Sequence, residues 1–200
     1  MELKDGRKFT HKDLVEIAYR WVLKNGSCGV AFKELDAHGS SEIPDVIGFG
    51  GWDHSVLIEV KVSRSDFLSD KNKSFRKSPS EGMGSQRMYC CPTGLISKEE
   101  LPLGWGLLYV SPDGKCKAVH RPMVEYPSEH TTGTYKRYYR HDKNTTAELG
   151  IMYSALRRLF IKGLVKHIYD RKYTRGVTAN DVIEANEIVE SGLTIDKTKQ

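Results

Sequence analysis

The chain has 200 residues, of which 38% are hydrophobic and 28% charged, and a formal net charge of +5. This composition fits a soluble globular domain with its own apolar core and excludes collagen-like and disordered classes. No apolar run reaches the ~18 residues that a bilayer-spanning helix needs, and the N-terminal MELKDGRKFTHKD lacks the apolar stretch of a secretory leader.

The first predicted element is a helix. Thr10 is a good N-cap, Asp13 three residues on complements the helix dipole, and Leu14, Ile17, Ala18, Trp21 and Val22 recur at helical spacing. Asn25-Gly26 ends it. A strand is expected over 30–35, then a polar loop, then a strand opened by Pro44 and Asp45 and running through Phe49. Gly50-Gly51-Trp52-Asp53 reads as a turn, and the branched residues of 55–62 as the return strand of a hairpin. Residues 65–78 are polar, basic and expected to be helical, and 78–84 a loop or turn. Short strands follow at 87–91, 105–110 and 116–120. Residues 121–144 look irregular and aromatic. Thr145 with Glu148 reads as the capping box of a second strong helix, with Leu149, Met152, Tyr153, Leu156, Leu159 and Phe160 as its apolar stripe. A last helix is expected over 178–190.

This order predicts an α/β fold: a mixed central sheet flanked by helices over residues 1–120, with 121–200 as an irregular segment and a helical extension packing on that core. The four cysteines, Cys28, Cys90, Cys91 and Cys116, contain no Cys-x-x-Cys pair, and adjacent Cys90 and Cys91 are too strained for an ordinary disulfide. Buried, reduced thiols and a cytoplasmic location are expected. The seven histidines show no metal-ligand spacing, and no Walker-type loop or Gly-x-Ser-x-Gly is present.

The chemistry concentrates in residues 44–61, PDVIGFGGWDHSVLIEVK. Along the second strand of this hairpin, Val56, Ile58, Val60 and Val62 share one face, and Leu57, Glu59 and Lys61 the other. An acid and a base inside an otherwise apolar run are expensive to bury unless paired or holding a metal. The hairpin can bring Asp45 beside Glu59. Two carboxylates and the Val60 carbonyl make a hard oxygen site suited to Mg²⁺ or Mn²⁺, with Lys61 placed to orient or deprotonate a water. A plain surface hairpin with a Glu–Lys pair is the bland alternative.

This pattern resembles the PD-(D/E)xK nuclease superfamily, with Asp45, Glu59 and Lys61 on its three core positions. The stretches EVKVSRSDFLSDKNKSFR and YCCPTGLISKEELPLGWGLLYV also resemble the MmcB-like branch of DNA-repair endonucleases and relatives from phages and mobile elements. The resemblance covers about residues 11–120. It implies a restriction-endonuclease-like core in the order α-β-β-β-α-β, Mg²⁺ or Mn²⁺ as cofactor, and DNA as substrate in a bacterial or phage-infected cell, in repair, recombination or phage DNA metabolism. It also implies a further metal-associated Glu on the first helix. Glu16 has that placement, although it also lies one turn from Arg20 as a surface pair would, and Glu34 competes for the role.

Between Lys61 and Cys91 stand seven basic and three acidic residues. Arg64, Lys71, Lys73, Arg76, Lys77 and Arg87 are candidates for a phosphate-tracking wall, or else form a solvated helix face. The cluster Tyr135-Lys136-Arg137-Tyr138-Tyr139-Arg140-His141 suits stacking on unpaired bases, or else a loop of packed tyrosines. The expectation is a metal-dependent endonuclease. Its rivals are a non-catalytic nucleic-acid-binding module on the same fold and a junction-specific resolvase acting as a homodimer.

Overall fold

Thr10 and Asp13 close the first helix, α1 (His11–Asn25), as a reciprocal box: the Asp13 amide donates to Thr10 Oγ1 at 3.2 Å and the Thr10 amide to Asp13 Oδ2 at 2.9 Å. The helix stops where Gly26 packs on its last turn, since a Cβ there would lie 2.5 Å from the Val22 carbonyl oxygen. Leu14, Val15, Ala18, Trp21, Val22 and Leu23 are buried. The computed structural model describes residues 8–36, 41–128, 132–169, 180–181 and 183–184.

The fold is α/β. Six strands, β1 (Val30–Lys33), β2 (Val46–Phe49), β3 (Ser55–Val60), β4 (Gln86–Pro92), β5 (Trp105–Val110) and β6 (Cys116–His120), form one sheet in chain order. The pairs β1–β2, β2–β3 and β5–β6 are antiparallel, while β3–β4 and β4–β5 are parallel, so the sheet is mixed. The parallel step from β3 to β4 needs a crossover, supplied by two short helices, α2 (Arg64–Asp70) and α3 (Ser74–Lys77). All six residues of β3 are buried, as expected for a central strand covered on both faces. The Val56 face lies under α1: Gly48, paired with Val56, comes so close that a Cβ would meet Val22 at 2.8 Å. On the Glu59 face, Phe67 of α2 meets the Tyr89 ring edge-on at 5.2 Å.

Residues 121–144, expected to be irregular, contain an antiparallel ribbon, β7 (Met123–Pro127) with β8 (Thr134–Tyr138), separate from the main sheet. The next segment returns to the core. His141 is buried and bonds the Gly104 carbonyl at 3.0 Å, so it leaves the aromatic-basic cluster to which the sequence assigned it. Gly104 is needed twice over: its φ is +78°, and a Cβ would meet the Tyr139 ring at 2.4 Å.

The helix α4 (Thr145–Ile161) is capped differently from expectation. Asn144 Oδ1 accepts from the Ala147 amide at 2.9 Å. Glu148, freed from capping, is a buried latch. Its Oε1 accepts from the Gly84 amide at 2.8 Å and from Ser55 Oγ at 2.7 Å, and its Oε2 from Lys143 Nζ at 2.7 Å. The buried positions are Ala147, Glu148 and Ile151, while Leu149 and Tyr153 of the expected stripe are exposed.

The chain divides into two compact units, 1–154 and 155–200. The second holds the end of α4, where Leu156, Leu159 and Phe160 are exposed, and a short 3₁₀ helix, Val165–Tyr169. Of the helix expected over 178–190, residues 180, 181, 183 and 184 are helical and the rest lies outside the described residues. No described helix is long and apolar enough to cross a membrane. All four cysteines are free thiols, and Cys28, Cys90 and Cys91 are buried.

Replacing Glu148 by Ala strands the buried Gly84 amide and takes from the enclosed Lys143 ammonium one of its two carboxylate partners, Asp53 at 2.8 Å being the other. Urea denaturation should show a loss of about 3 kcal/mol, against a smaller loss for Glu148→Gln, which keeps one acceptor.

Candidate metal centre and its ion-pair network

The pleat carries Glu59 and Lys61 out of the apolar face of β3 and into a buried ionic cluster. Arg76 of α3 stands at its centre, its side chain 4% exposed. Its Nη1 lies 2.5 Å from Glu42 Oε1, its Nε 2.8 Å from Asp70 Oδ2 and its Nη2 3.0 Å from Glu59 Oε1. Lys61 Nζ, equally enclosed, lies 3.1 Å from Asp70 and 3.4 Å from Glu59. Tyr89 donates its hydroxyl proton to Asp70 at 2.7 Å, and the Glu42 carboxylate also accepts from the Met83 amide at 2.6 Å. The Trp105 ring stacks on Tyr89 at 4.4 Å and lies 4.8 Å from the Arg76 guanidinium.

These contacts set the charges. Burial works to raise the Asp70 carboxyl, but Arg76 and Lys61 outweigh it and hold it well below the usual carboxylate range. Burial raises Glu42 despite Arg76. Burial also works to lower Arg76, yet Glu59, Glu42 and Asp70 push it above its ordinary value.

At the sheet end, Asp45 stands between this cluster and solvent. Its Oδ2 accepts from the Val60 amide at 2.7 Å. Burial first, and the Glu59 charge second, raise its carboxyl to about 6. His11 Nε2 lies 3.4 Å from Asp45 and 3.3 Å from Glu34, and ligand atoms of these three residues fall within 4.8 Å of one another. Glu34 holds its place at φ +47°, a left-handed conformation that side chains other than glycine adopt at a cost. By the β2–β3 register Pro44 stands opposite Val60, and proline has no N–H to offer the Val60 carbonyl. A cleft of about 280 Å³ bordered by Lys8, Phe9, Val62 and Pro92 opens nearby.

The structure thus brings Asp45, Glu59, Val60 and Lys61 to one end of β3. Glu16 is not among them: it pairs with Lys33 of β1 at 2.5 Å, and the acidic side chain that joins Asp45 is Glu34. His11 was missed because its partners lie far along the chain, although its place at the first turn of the helix preceding the hairpin was the available signal.

The expected phosphate wall is divided. Arg76 belongs to the buried cluster. Arg87 is buried and donates to the carbonyls of Met83, Gly84, Pro79, Gly82 and Asp142, a structural role in place of the one assigned. Arg64 forms a two-pronged surface pair with Glu100, at 2.5 and 2.8 Å. Lys71 lies exposed over the Phe67 ring at 5.2 Å, and Lys77 is exposed. Lys73, 44% exposed, reaches Asp70 at 2.9 Å and Glu59 at 3.7 Å, so it alone of the six connects the cluster to solvent.

No protein-family model and no curated protein sequence matches the chain. Among solved structures, a protein of unknown function from Silicibacter pomeroyi is similar at 18% identity with a TM-score of 0.48, covering 84% of this chain and 97% of its own.

Because Asp45 is harder to ionise in the fold than in the unfolded chain, it contributes stability below about pH 4 that is lost as pH rises through about 6. In EDTA, Asp45→Asn should therefore be more stable than the parent by ~1–3 kcal/mol at pH 7.5, with the gain shrinking towards zero at pH 4. Urea melts across this range check the sign.

Proposed function

We propose that the chain is a divalent-metal-dependent nuclease that hydrolyses DNA phosphodiester bonds on a restriction-endonuclease-like fold. The observation that carries the reading is the charge balance at the end of β3. Among the described residues, the carboxylates Asp45, Glu59, Asp66, Asp70 and Glu42 gather at this end with Lys61, Lys73 and Arg76, and the His11 imidazole stands beside Asp45. A carboxylate-rich, carbonyl-bearing strand end fits a hard divalent cation. The raised Asp45 carboxyl fits the same account, since burial and the Glu59 charge outweigh the Val60 amide, His11 and Lys61 that favour its ionised form.

Asp45 and Glu59 supply the anionic oxygens, Val60 a carbonyl, and His11 a nitrogen at the rim. Mg²⁺ or Mn²⁺ held there supplies charge stabilisation for a scissile phosphate. Lys61, positioned by Asp70, orients the attacking water. Lys73, half in solvent beside the same carboxylates, meets the incoming phosphate. The P-D…E-x-K pattern supports the same assignment.

One observation favours a second reading. Both Glu59 oxygens already face cations, Arg76 on one side and Lys61 and Lys73 on the other. A non-catalytic nucleic-acid-binding module could keep such a closed cluster unchanged.

Two measurements decide between them. On supercoiled, single-stranded and branched DNA, the nuclease should cut with Mn²⁺ and not with EDTA, and Lys61→Ala should cut at least ~100-fold more slowly. Equal cutting by that variant, or no cutting of any substrate, sinks the catalytic reading. The rise in melting temperature on adding Mn²⁺ should grow as pH passes upward through about 6, where Asp45 gives up its proton, and should be lost in Asp45→Asn.

A further inference from the structure

The β7–β8 ribbon is built in a way that core packing does not explain. All five residues of β8 are exposed, as are four of five in β7. Yet this exposed ribbon carries Met123, Tyr126, Tyr135 and Tyr138, each about two-fifths exposed. Beside it lies a cleft of about 520 Å³ lined by Gln86, Met123, Lys136, Arg137, Tyr138 and Arg140. That lining contains three cations and no carboxylate, so the cleft suits an anionic occupant.

Its aromatic wall is fixed in place. Arg121 donates to the Tyr138 hydroxyl at 3.0 Å, and its guanidinium packs 5.3 Å from that ring and 5.0 Å from Trp21 of α1. A second guanidinium donation, to the Asn25 carbonyl at 3.2 Å, anchors Arg121 to the end of α1. Across the ribbon Arg137 covers the Tyr135 ring at 4.8 Å, and Tyr135 stacks on Tyr126 at 5.7 Å. Among the described residues Arg137 has no carboxylate partner, whereas Lys136 pairs with Glu125 at 2.9 Å and Arg140 donates to the Asp53 carbonyl at 2.9 Å, with the exposed Asp53 carboxylate 3.7 Å away.

We infer that this groove is a docking site for single-stranded nucleic acid, with Lys136 and Arg140 on phosphates and the Tyr138 ring against a base. Cations interleaved with held, exposed aromatic rings match a chain that alternates phosphate charge with flat unpaired bases. A duplex offers the phosphates but keeps its base faces stacked inside. Gln86, with both amide donors and an acceptor, reaches the same cleft and can meet base edges.

The groove is distinct from the metal centre. Gln86 pairs with Val56, on the α1 face of the sheet, while Tyr89 pairs with Glu59 on the other face, three residues or about 10 Å of strand rise away. Binding here stands whether or not the metal centre cleaves.

Fluorescence anisotropy on the full chain in EDTA tests this, using fluorescein-labelled oligothymidylate and its duplex with oligoadenylate. The single strand should bind more tightly than the duplex. Lys136→Glu combined with Arg140→Glu should weaken single-strand binding at least ~10-fold and flatten its salt dependence by a log–log slope of about 1.4. Tyr138→Leu should weaken the single strand and spare the duplex, Tyr138→Phe should retain affinity, and Lys98→Ala, at an exposed cation remote from the ribbon, should bind as the parent does. Each variant is first shown to melt as the parent does, and Gln86→Ala, at the same cleft, replaces any that does not. The assignment is overturned if the single strand fails to bind, if the charge variant leaves its affinity unchanged, if both forms weaken equally in Tyr138→Leu, or if polyglutamate displaces the oligonucleotide at matched charge.

Discussion

The Arg76 guanidinium lies out of water among three carboxylates, and much of the molecule is arranged around that placement. Removing such a group from solvent costs several kcal/mol per ion, and only close partners with good geometry offset it. Arg76 has two partners of that quality, Glu42 and Asp70. The third is looser: Nη2 stands 3.0 Å from Glu59, yet it is buried without a well-directed hydrogen bond. Glu42 in turn holds the chain at Met83, and Asp70 holds Lys61 and Tyr89, so one side chain ties the loop before β2, the crossover helices and β4 together. The least firmly held carboxylate of the set is Glu59, the one best placed to be recruited by another cation.

The candidate site therefore has two tiers. The inner tier is dry, closed by ion pairs, and built on rigid strands and the crossover. The outer tier, His11, Asp45 and Glu34, is partly open to water and under-compensated in charge. Asp45 joins them: one oxygen accepts from the β3 backbone, the other faces the imidazole. A carboxylate held in this way is oriented before any ion arrives, which limits the reorganisation that binding requires.

Much of this arrangement was legible in the sequence. An acid and a base inside the apolar run of β3 favoured a buried cluster over a plain surface hairpin, and the Gly50–Asp53 turn indicated which acid would stand beside it. The six strands of the main sheet and the Thr10 cap follow from alternation and capping chemistry. What local patterns could not reveal was pairing at a distance. Arg76 and Arg87 look like neighbours of Lys71 and Lys77 in a basic stretch, and only the fold shows that one meets Glu42 and the other a ring of carbonyls. Glu148 fits a capping box by spacing, but Ser55 and Gly84, distant in the chain, claim its oxygens. The β7–β8 ribbon escaped because its alternation is of tyrosine with cation rather than apolar with polar.

Trp105 has a consequence for observing this molecule. Its indole is buried between Tyr89 and the Arg76 guanidinium, while Trp52 at the tip of the β2–β3 hairpin is fully exposed. Indole emission responds to nearby charge and to solvent access, so a soluble quencher addresses Trp52 and spares the buried Trp21 and Trp105, and Trp21→Phe then leaves Trp105 as the buried reporter. The protein thus carries an internal optical gauge beside its buried cation, one that registers movement of the guanidinium without any label.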